Sequence, residues 1–263
     1  MAASIPVIPR NRYRARIRGL CLLPAASAAL VLVAAGPAPA ATRHETLGTS
    51  VQGHAIQAIE TGDPTGSLKV VVVGCIHGNE QAGIGIADDL TTLRPAPGVD
   101  LWVIPDMNPD GVAANTRRNA HNVDLNRNFP WDWLKPSKTL DRYSGKHALS
   151  EPESRDVYHF LLKVKPQLVI WFHQPYDVVD ESGGSVALEQ LFSSLTGEPL
   201  TELPRYPGSA AEWVDHRFDG STSFVVELPP GLLSAAQTKR YALAVETLAR
   251  FDELATARAG SPA

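Results

Sequence analysis

The residues His77-Gly78-Asn79-Glu80 place an imidazole and a carboxylate three positions apart, directly after a predicted strand. At the start of a helix this spacing is about one turn, so both side chains can reach the same ion. Zinc is held in proteins by such nitrogen and oxygen ligands. The pair alone is weak evidence, because a chain with 8 histidines can contain His-x-x-Glu by chance. Its weight depends on the residues that accompany it.

Two further candidates lie at the ends of predicted strands. His173 follows residues 167–172 (QLVIWF), and Glu227 lies near the end of residues 223–228 (SFVVEL). In open α/β sheets, ligands bind outside the carboxyl ends of the strands. We therefore expect His77, His173 and Glu227 to converge at one edge of a sheet. A histidine that closes a buried strand more often only packs there, so the position of His173 does not by itself establish a metal site.

The elements that must position these residues alternate in type. Residues 69–74 (KVVVVG) and 100–104 (DLWVI) are typical of strands buried on both faces. Residues 81–93 between them have helical periodicity, which predicts a strand-helix-strand unit. The alternation indicates an α/β layer fold.

Later segments extend this pattern. A capping box at Ser150 and Glu153 predicts a helix that runs to about residue 164. Residues 234–254 predict a closing helix, and residues 183–213, rich in Gly, Pro and Ser, predict loop structure.

The length of 263 residues, 44% of them hydrophobic, fits one catalytic domain. Residues 1–40 differ in composition, because five arginines precede an apolar run over residues 20–35 that ends in small residues. This pattern predicts a signal peptide cleaved near Ala40, a catalytic domain over residues 41–263, and a secreted or extracytoplasmic location. A membrane anchor is the alternative, but the run is shorter than the ~20 residues of a spanning helix and contains Pro24. We therefore expect no stable membrane anchor after cleavage.

Charge and cysteine content exclude two classes of interaction. Removal of residues 1–40 leaves 19 basic residues against 28 acidic ones, so the formal charge falls from −4 to −9, which argues against a nucleic-acid partner. Cys75 is then the one cysteine that remains, and no intramolecular disulfide can form. Its place at the end of a buried strand favours packing over a role as ligand or nucleophile.

A series of motifs in a fixed order surrounds these candidates. After His-x-x-Glu come NPDG at 108–111, which predicts a turn, then an Arg-x-Asn triplet at Arg117, VDLNRNF at 123–129, Ser-Glu-x-Glu at 150–153, and the strand-terminal His173 and Glu227. This order resembles the zinc carboxypeptidase family over most of the chain. The stretches FHQP at 172–175 and VELP at 226–229 are most similar to its murein peptide amidase branch.

The resemblance implies a catalytic zinc site. His77, Glu80 and His173 would hold one Zn²⁺ per chain, with a water molecule in the open fourth position. Glu227 would be the general base. Arg117 would stabilise the oxyanion of the tetrahedral intermediate, although the neighbouring Arg118 is an alternative.

The same resemblance implies a substrate clamp. Asn126 and Arg127 would bind the terminal carboxylate of the substrate. Asp124 would orient a metal-binding histidine through the second nitrogen of its ring. Tyr206 lies near the region where the family supplies a substrate-contacting tyrosine, although its spacing to Glu227 does not align without a shift.

We therefore expect a three-layer α/β/α fold around a mixed, mostly parallel sheet. The expected enzyme is a zinc metallocarboxypeptidase or peptide amidase that hydrolyses an amide bond next to a free carboxylate, with a small cell-wall (murein) peptide as substrate. Two alternatives stay open: an N-acyl amino acid deacylase of the succinylglutamate desuccinylase or aspartoacylase type, and an inactive peptide-binding module.

Overall fold

The computed structural model describes residues 42–134 and 142–251. The predicted leader, residues 1–40, lies outside these ranges. The strands are β1 Arg43–Thr49, β2 Ala55–Gly62, β3 Leu68–Val73, β4 Val99–Ile104, β5 Leu168–His173, β6 Val178–Asp180, β7 Leu200–Thr201 and β8 Thr222–Glu227. The helices are α1 Ala82–Thr92, α2 Pro109–Ala114, α3 Pro152–Val164, α4 Val186–Thr196, α5 Ala210–Arg217 and α6 Ala235–Leu248, with a 3-10 helix at Leu125–Arg127.

The strands form one eight-stranded sheet in the order β1-β2-β4-β3-β5-β8-β6-β7. The four central strands β4, β3, β5 and β8 are parallel. Antiparallel pairs flank them, since β1 pairs with β2, β2 with β4, and β6 with β8. Parallel neighbours end at the same edge of a sheet, so the loops after β3, β5 and β8 meet there.

Helices cover both faces of the sheet. Side chains alternate between the faces along a strand. Val70 and Val72 of β3 therefore pack on one side with α1, α4 and α6, whereas Val71 and Val73 pack on the other side with α3 and α5. The continuous apolar sequence of β3 thus fills both interfaces, and the predicted three-layer α/β/α class with a mixed sheet is confirmed. Among the described residues, no helix is both long enough and apolar enough to cross a bilayer.

The prediction of loop structure over residues 183–213 is wrong. This stretch contains α4 and β7, and α5 begins at Ala210. Leu188 and Phe192 lie one turn apart in α4 and are fully buried in the core. Because glycines flank this helix, the composition of the stretch resembles that of a loop, and it does not reveal the short apolar face of the helix.

Three local predictions also change. The residue that caps α3 is Glu151, with Pro152 in the first turn, and the hydroxyl of Ser150 donates to the Glu151 carboxylate instead of capping the helix. The NPDG turn is the start of α2, where the Asn108 side chain accepts from the Gly111 amide. The closing helix α6 ends at Leu248, and residues 252–254 of the predicted helix lie outside the described ranges.

Candidate active site

Three potential ligands meet at the carboxyl edge of the parallel strands. His77 follows β3, Glu80 lies just before α1, and His173 is the last residue of the neighbouring strand β5. The Nδ1 of His77 lies 2.8 Å from Oε2 of Glu80, and the Nδ1 of His173 lies 3.0 Å from the same oxygen. The two Nδ1 atoms are 3.1 Å apart. All three side chains are buried, so the atoms form a compact triangle away from bulk solvent.

The loop that carries His77 and Glu80 is held by close backbone packing. A Cβ at Gly78 would lie 1.9 Å from the carbonyl carbon of Gly111, so only glycine lets the loop approach α2 this closely. The buried thiol of Cys75 donates to the His77 carbonyl at 3.1 Å. Burial raises the pKa of Cys75, which keeps it a protonated packing group.

The triangle has the chemistry of a zinc site. Ligands at about 2.1 Å from a tetrahedral zinc ion are separated by roughly 3.4 Å, close to the distances between these three atoms. The Nε2 of His77 lies 3.0 Å from Oδ1 of the buried Asp124, so its Nδ1 faces the triangle as a lone pair. Burial lowers the pKa of His173 to about 4, which leaves that imidazole neutral and able to bind a metal at neutral pH.

Arg117 joins two carboxylates of this site. Its Nε donates to Oδ2 of Asp124 at 3.0 Å, and one terminal nitrogen donates to Oε1 of Glu80 at 2.9 Å. Burial raises the pKa of both carboxyl groups, but the neighbouring imidazoles and, for Asp124, Arg117 outweigh it and hold both pKa values well below their usual range. The side chain of Arg117 lines a cavity that also contains His77, His173 and Glu227, whereas that of Arg118 does not. The geometry therefore favours Arg117 of the two candidates.

A buried polar network fixes the loop from Arg117 to Asp124. The side-chain amide of Asn119 donates to Glu151 at 2.8 Å and to Glu153 at 3.0 Å. Its oxygen accepts from the backbone amides of His121 and Val123. The Arg-x-Asn and Ser-Glu-x-Glu motifs are thus linked, and their contacts hold Arg117 in position.

Glu227 is the last residue of β8 and lies opposite His173 in the β5–β8 register. Its side chain is buried, and Oε2 has no hydrogen-bond partner among the described residues. Burial and the charge of Glu80 raise the pKa of Glu227 to about 7. A carboxyl group with such a pKa can both accept and release a proton near neutral pH.

A cavity of about 600 Å³ opens in front of these residues. Asn126 and Arg127, in the 3-10 helix, line it and are 8% and 7% exposed. The Asn126 side-chain oxygen accepts from the Ala210 amide at 2.9 Å, which fixes the orientation of its amide group. The Arg127 guanidinium lies over the Tyr206 ring, 4.3 Å from the centroid, and its Nε has no partner among the described residues.

The cavity also contains residues that the motifs did not indicate. Arg142 lies 4.2 Å from the centroid of the Tyr206 ring, so two guanidinium groups contact one aromatic side chain. Arg205 lines the wall together with Asp180 and Glu212. No spacing in the sequence relates these residues to the metal ligands, because they reach the cavity from segments between β5 and β8 and from the loop after Phe129.

Gln174 is another residue beside the site to which the motifs assign no role. Its amide nitrogen donates to the carbonyls of Pro229 and Gly231 at 2.7 and 2.8 Å, and its oxygen accepts from the Ala82 amide. Its backbone amide lies 3.3 Å from Oε2 of Glu80. Gln174 thereby connects the loop after Glu227 with the start of α1 and the candidate ligand Glu80.

Several known proteins share sequence and fold with this chain. A family model described as zinc carboxypeptidase matches residues 33–179. Murein peptide amidase A of Vibrio campbellii is 30% identical over 198 residues, which cover 70% of this chain and 78% of that protein. The Escherichia coli K12 protein of the same name is 28% identical over 197 residues, which cover 69% and 79%. The crystal structure of murein-tripeptide amidase from E. coli O157 superposes with a TM-score of 0.65 at 24% identity, covering 79% of this chain and 92% of that one.

Proposed function

We propose that this chain, which belongs to the zinc carboxypeptidase family and is a zinc-dependent hydrolase, cleaves an amide bond next to a free carboxylate on a murein peptide. His77, Glu80 and His173 are the proposed zinc ligands, Glu227 the general base, and Asn126 and Arg127 the carboxylate clamp. The murein substrate is drawn from what the relatives are named for.

The observation that carries this proposal is the buried guanidinium of Arg127 in the same cavity as the ligand triangle and Glu227. Burial lowers the pKa of Arg127, and a buried cation is costly unless an anion or hydrogen-bond acceptor pairs with it. A planar guanidinium with unused N–H groups fits a carboxylate in bidentate geometry. One terminal nitrogen of Arg127 donates to the Asn126 carbonyl, and the free carboxylate of a substrate would be the partner of the N–H groups that remain.

Zinc, when bound, supplies Lewis acidity that polarises the scissile carbonyl and acidifies the attacking water. The chain supplies the proton transfer: Glu227 accepts a proton from the water as its oxygen adds to the carbonyl carbon. Glu227 then delivers this proton to the leaving nitrogen, and the C–N bond breaks to give an acid and an amine. Arg117 places a fixed positive charge beside the developing oxyanion. Asp124 keeps His77 in the tautomer whose Nδ1 would be free to bind the metal.

A substrate panel tests the proposed function. The purified protein with zinc is incubated with murein tripeptides that contain diaminopimelate, with other carboxylate-ended peptides, and with N-acyl amino acids, and the products are identified by mass. We expect cleavage of the murein peptide and much slower cleavage when the carboxylate next to the scissile bond is amidated. Cleavage of acylated amino acids alone would instead favour the deacylase function.

We also propose that residues 1–40 are a leader removed on export, which would place the enzyme outside the cytoplasm, where murein peptides occur. The five arginines, the apolar run and the Ala38-Pro39-Ala40 sequence support this proposal. The intact mass of the protein recovered from the cell exterior gives the cleavage site, and a mass that retains residues 1–40 would contradict it.

A further inference from the structure

One wall of the cavity carries a cluster of charges that the proposed mechanism does not use. We call Arg205, Asp180 and Glu212 the Arg205 triad. The Arg205 guanidinium donates to Oδ2 of Asp180 at 2.7 Å and lies 3.1 Å from Oε1 of Glu212. It also donates to the Glu181 carbonyl. These contacts use three of its five N–H donors, and the side chain keeps 32% of its surface exposed at the cavity.

Contacts with the surrounding backbone and the start of a helix fix the two carboxylates of the triad. The Oδ1 of Asp180 accepts from the Leu203 amide at 2.8 Å, and the side chain of Asp180 is 7% exposed. Glu212 lies in the first turn of α5, whose N-cap Ser209 also lines the cavity. The triad therefore presents a guanidinium between two fixed carboxylates, an arrangement suited to a ligand that carries both signs of charge.

The net charge of the cavity lining restricts the net charge of the ligand that fits it. Arg117 is paired with Glu80 and Asp124. Beyond Arg117, the proposed metal ligands and Glu227, the lining contains three guanidinium groups, Arg127, Arg142 and Arg205, and two carboxylates, Asp180 and Glu212. This part of the lining has a net charge of +1. Diaminopimelate, amide-bonded through one amino group, retains two carboxylates and one ammonium, a net charge of −1. Lysine in the same place retains one carboxylate and one ammonium and leaves the positive charge uncompensated.

We propose that the Arg205 triad determines specificity by binding the charged end of the side chain of the leaving residue, which is a diamino dicarboxylic acid. Arg205 binds the distal carboxylate, and Glu212 with Asp180 binds the distal ammonium, while Asn126 and Arg127 bind the carboxylate next to the scissile bond. This inference rests on the proposed function, because it assigns the side-chain subsite of the same cavity.

Four substrates with one acyl part test the assignment. Their leaving residues are diaminopimelate, 2-aminopimelate, lysine and alanine, which carry at the distal end both charges, only the carboxylate, only the ammonium, and neither. We expect the wild type to prefer diaminopimelate by kcat/KM. Arg205→Gln should lower kcat/KM for diaminopimelate and 2-aminopimelate about tenfold or more, chiefly through KM, and leave lysine and alanine unchanged. Glu212→Gln should lower it for diaminopimelate and lysine.

Arg43→Gln is the matched control, because Arg43 pairs with Glu60 on the outer strands of the sheet and should leave all four rates unchanged. Equal losses for all four substrates in Arg205→Gln would mean a structural role and overturn the assignment. If that variant does not fold, Glu212→Gln decides in the same way, by a loss confined to the ammonium-bearing substrates or an equal loss for all. Equal wild-type rates for diaminopimelate and alanine would refute the triad proposal but leave the proposed function intact. No cleavage of any substrate would refute the proposed function itself.

Discussion

At the scale of single residues, the surroundings of a side chain decide which chemistry it can do. His77 and His173 are chemically identical, yet Asp124 fixes the tautomer of His77, whereas burial keeps His173 neutral. Glu80 and Glu227 also differ, since the imidazoles stabilise the charge of Glu80 and burial destabilises that of Glu227. One carboxylate is thereby suited to hold a cation, and the other to exchange a proton.

The first prediction separates metal binding from proton transfer. Glu227→Gln should keep stoichiometric zinc but lower kcat about a hundredfold to ten-thousandfold, because the amide cannot accept a proton from water. His173→Ala should lose zinc, because two protein ligands bind the ion much more weakly than three. Zinc content by mass spectrometry and hydrolysis of a murein tripeptide measure both effects. A fully active Glu227→Gln variant would contradict the mechanism.

The second prediction concerns the clamp. Arg127→Lys keeps the positive charge but loses the planar fork, so kcat/KM for a carboxylate-ended peptide should fall about tenfold to a hundredfold. The same peptide with its carboxylate amidated should be cleaved equally slowly by both proteins, because the lost contact does not exist there. Arg217→Lys, on the last turn of α5, is the surface control. If the ratio of kcat/KM between the two peptides were the same in Arg127→Lys as in the wild type, Arg127 would not bind the carboxylate.

At the scale of elements, β3, β5 and β8 bring the proposed zinc ligands and Glu227 to one edge of the sheet, and the connecting loops set the fine geometry. The loop at Gly208 shows how tightly this is done. Gly208 has a φ of +75°, and a Cβ there would lie 2.1 Å from the Arg127 carbonyl oxygen. The Tyr206 loop therefore packs directly against the backbone of the clamp.

We expect Gly208→Ala to destabilise the fold by about 1–3 kcal/mol and to raise KM for carboxylate-ended peptides, because the clamp must shift. Gly220→Ala is the matched control: its φ is +76°, but no atom lies within 4 Å of the added Cβ. The control should cost only the backbone strain, about 1 kcal/mol, and leave KM unchanged. Denaturant unfolding and steady-state kinetics compare the two, and equal KM values would show that the loop does not position the clamp.

A second prediction at this scale concerns the contact between α5 and β8. Asp215 of α5 accepts from the Ser223 amide at 2.7 Å, and its second oxygen has no partner among the described residues. Burial, with the charges of Glu212 and Glu189, raises the pKa of Asp215 to about 8. Between about pH 4 and pH 8 the folded state therefore binds more protons than the unfolded state, and the contribution of Asp215 to stability decreases as the pH rises.

Asp215→Asn removes this dependence and keeps the acceptor for Ser223. The variant should be as stable as the wild type near pH 4 and more stable by about 1–3 kcal/mol near pH 8. Urea unfolding at both pH values measures the difference, with the exposed Asp219→Asn as control. A difference that is the same at both pH values would contradict the assigned cause.

At the scale of the whole molecule, the proposed zinc ligands join parts of the chain that are far apart in sequence, since His77 follows β3 and His173 ends β5. Zinc that binds only the folded state stabilises it by mass action, by about 2.7 kcal/mol at a hundredfold excess over Kd. We expect a chelator to lower Tm by several degrees and added zinc to restore it. Glu227→Gln should respond in the same way, and His173→Ala should not. If the chelator left the Tm of the wild type unchanged, that result would contradict a preformed zinc site.

The fold class, the family and the zinc-dependent hydrolase activity could be predicted from the sequence, and the comparisons confirm them. The order of the motifs along the chain made this possible. The position of His173 at the end of a strand and the motif around Arg127 can both be recognised from their neighbours in the sequence. The predicted loop over residues 183–213 failed for the opposite reason. The burial of Phe192 in α4 is a long-range effect that local composition does not encode.

By itself, the sequence determined which residues are chemically able to act: an imidazole and carboxylate set, a base at a strand end, and a guanidinium next to an asparagine. Only the tertiary structure could favour Arg117 over Arg118 as the proposed oxyanion group, because that preference depends on contacts with Glu80 and Asp124 across the fold. It also brought Arg205 into the cavity, since a side-chain pocket is assembled from segments whose separation in sequence follows no period. The candidate ligands lie at or just after the ends of strands, so the local sequence predicts them. The residues of a pocket wall depend instead on how distant loops pack in the folded chain.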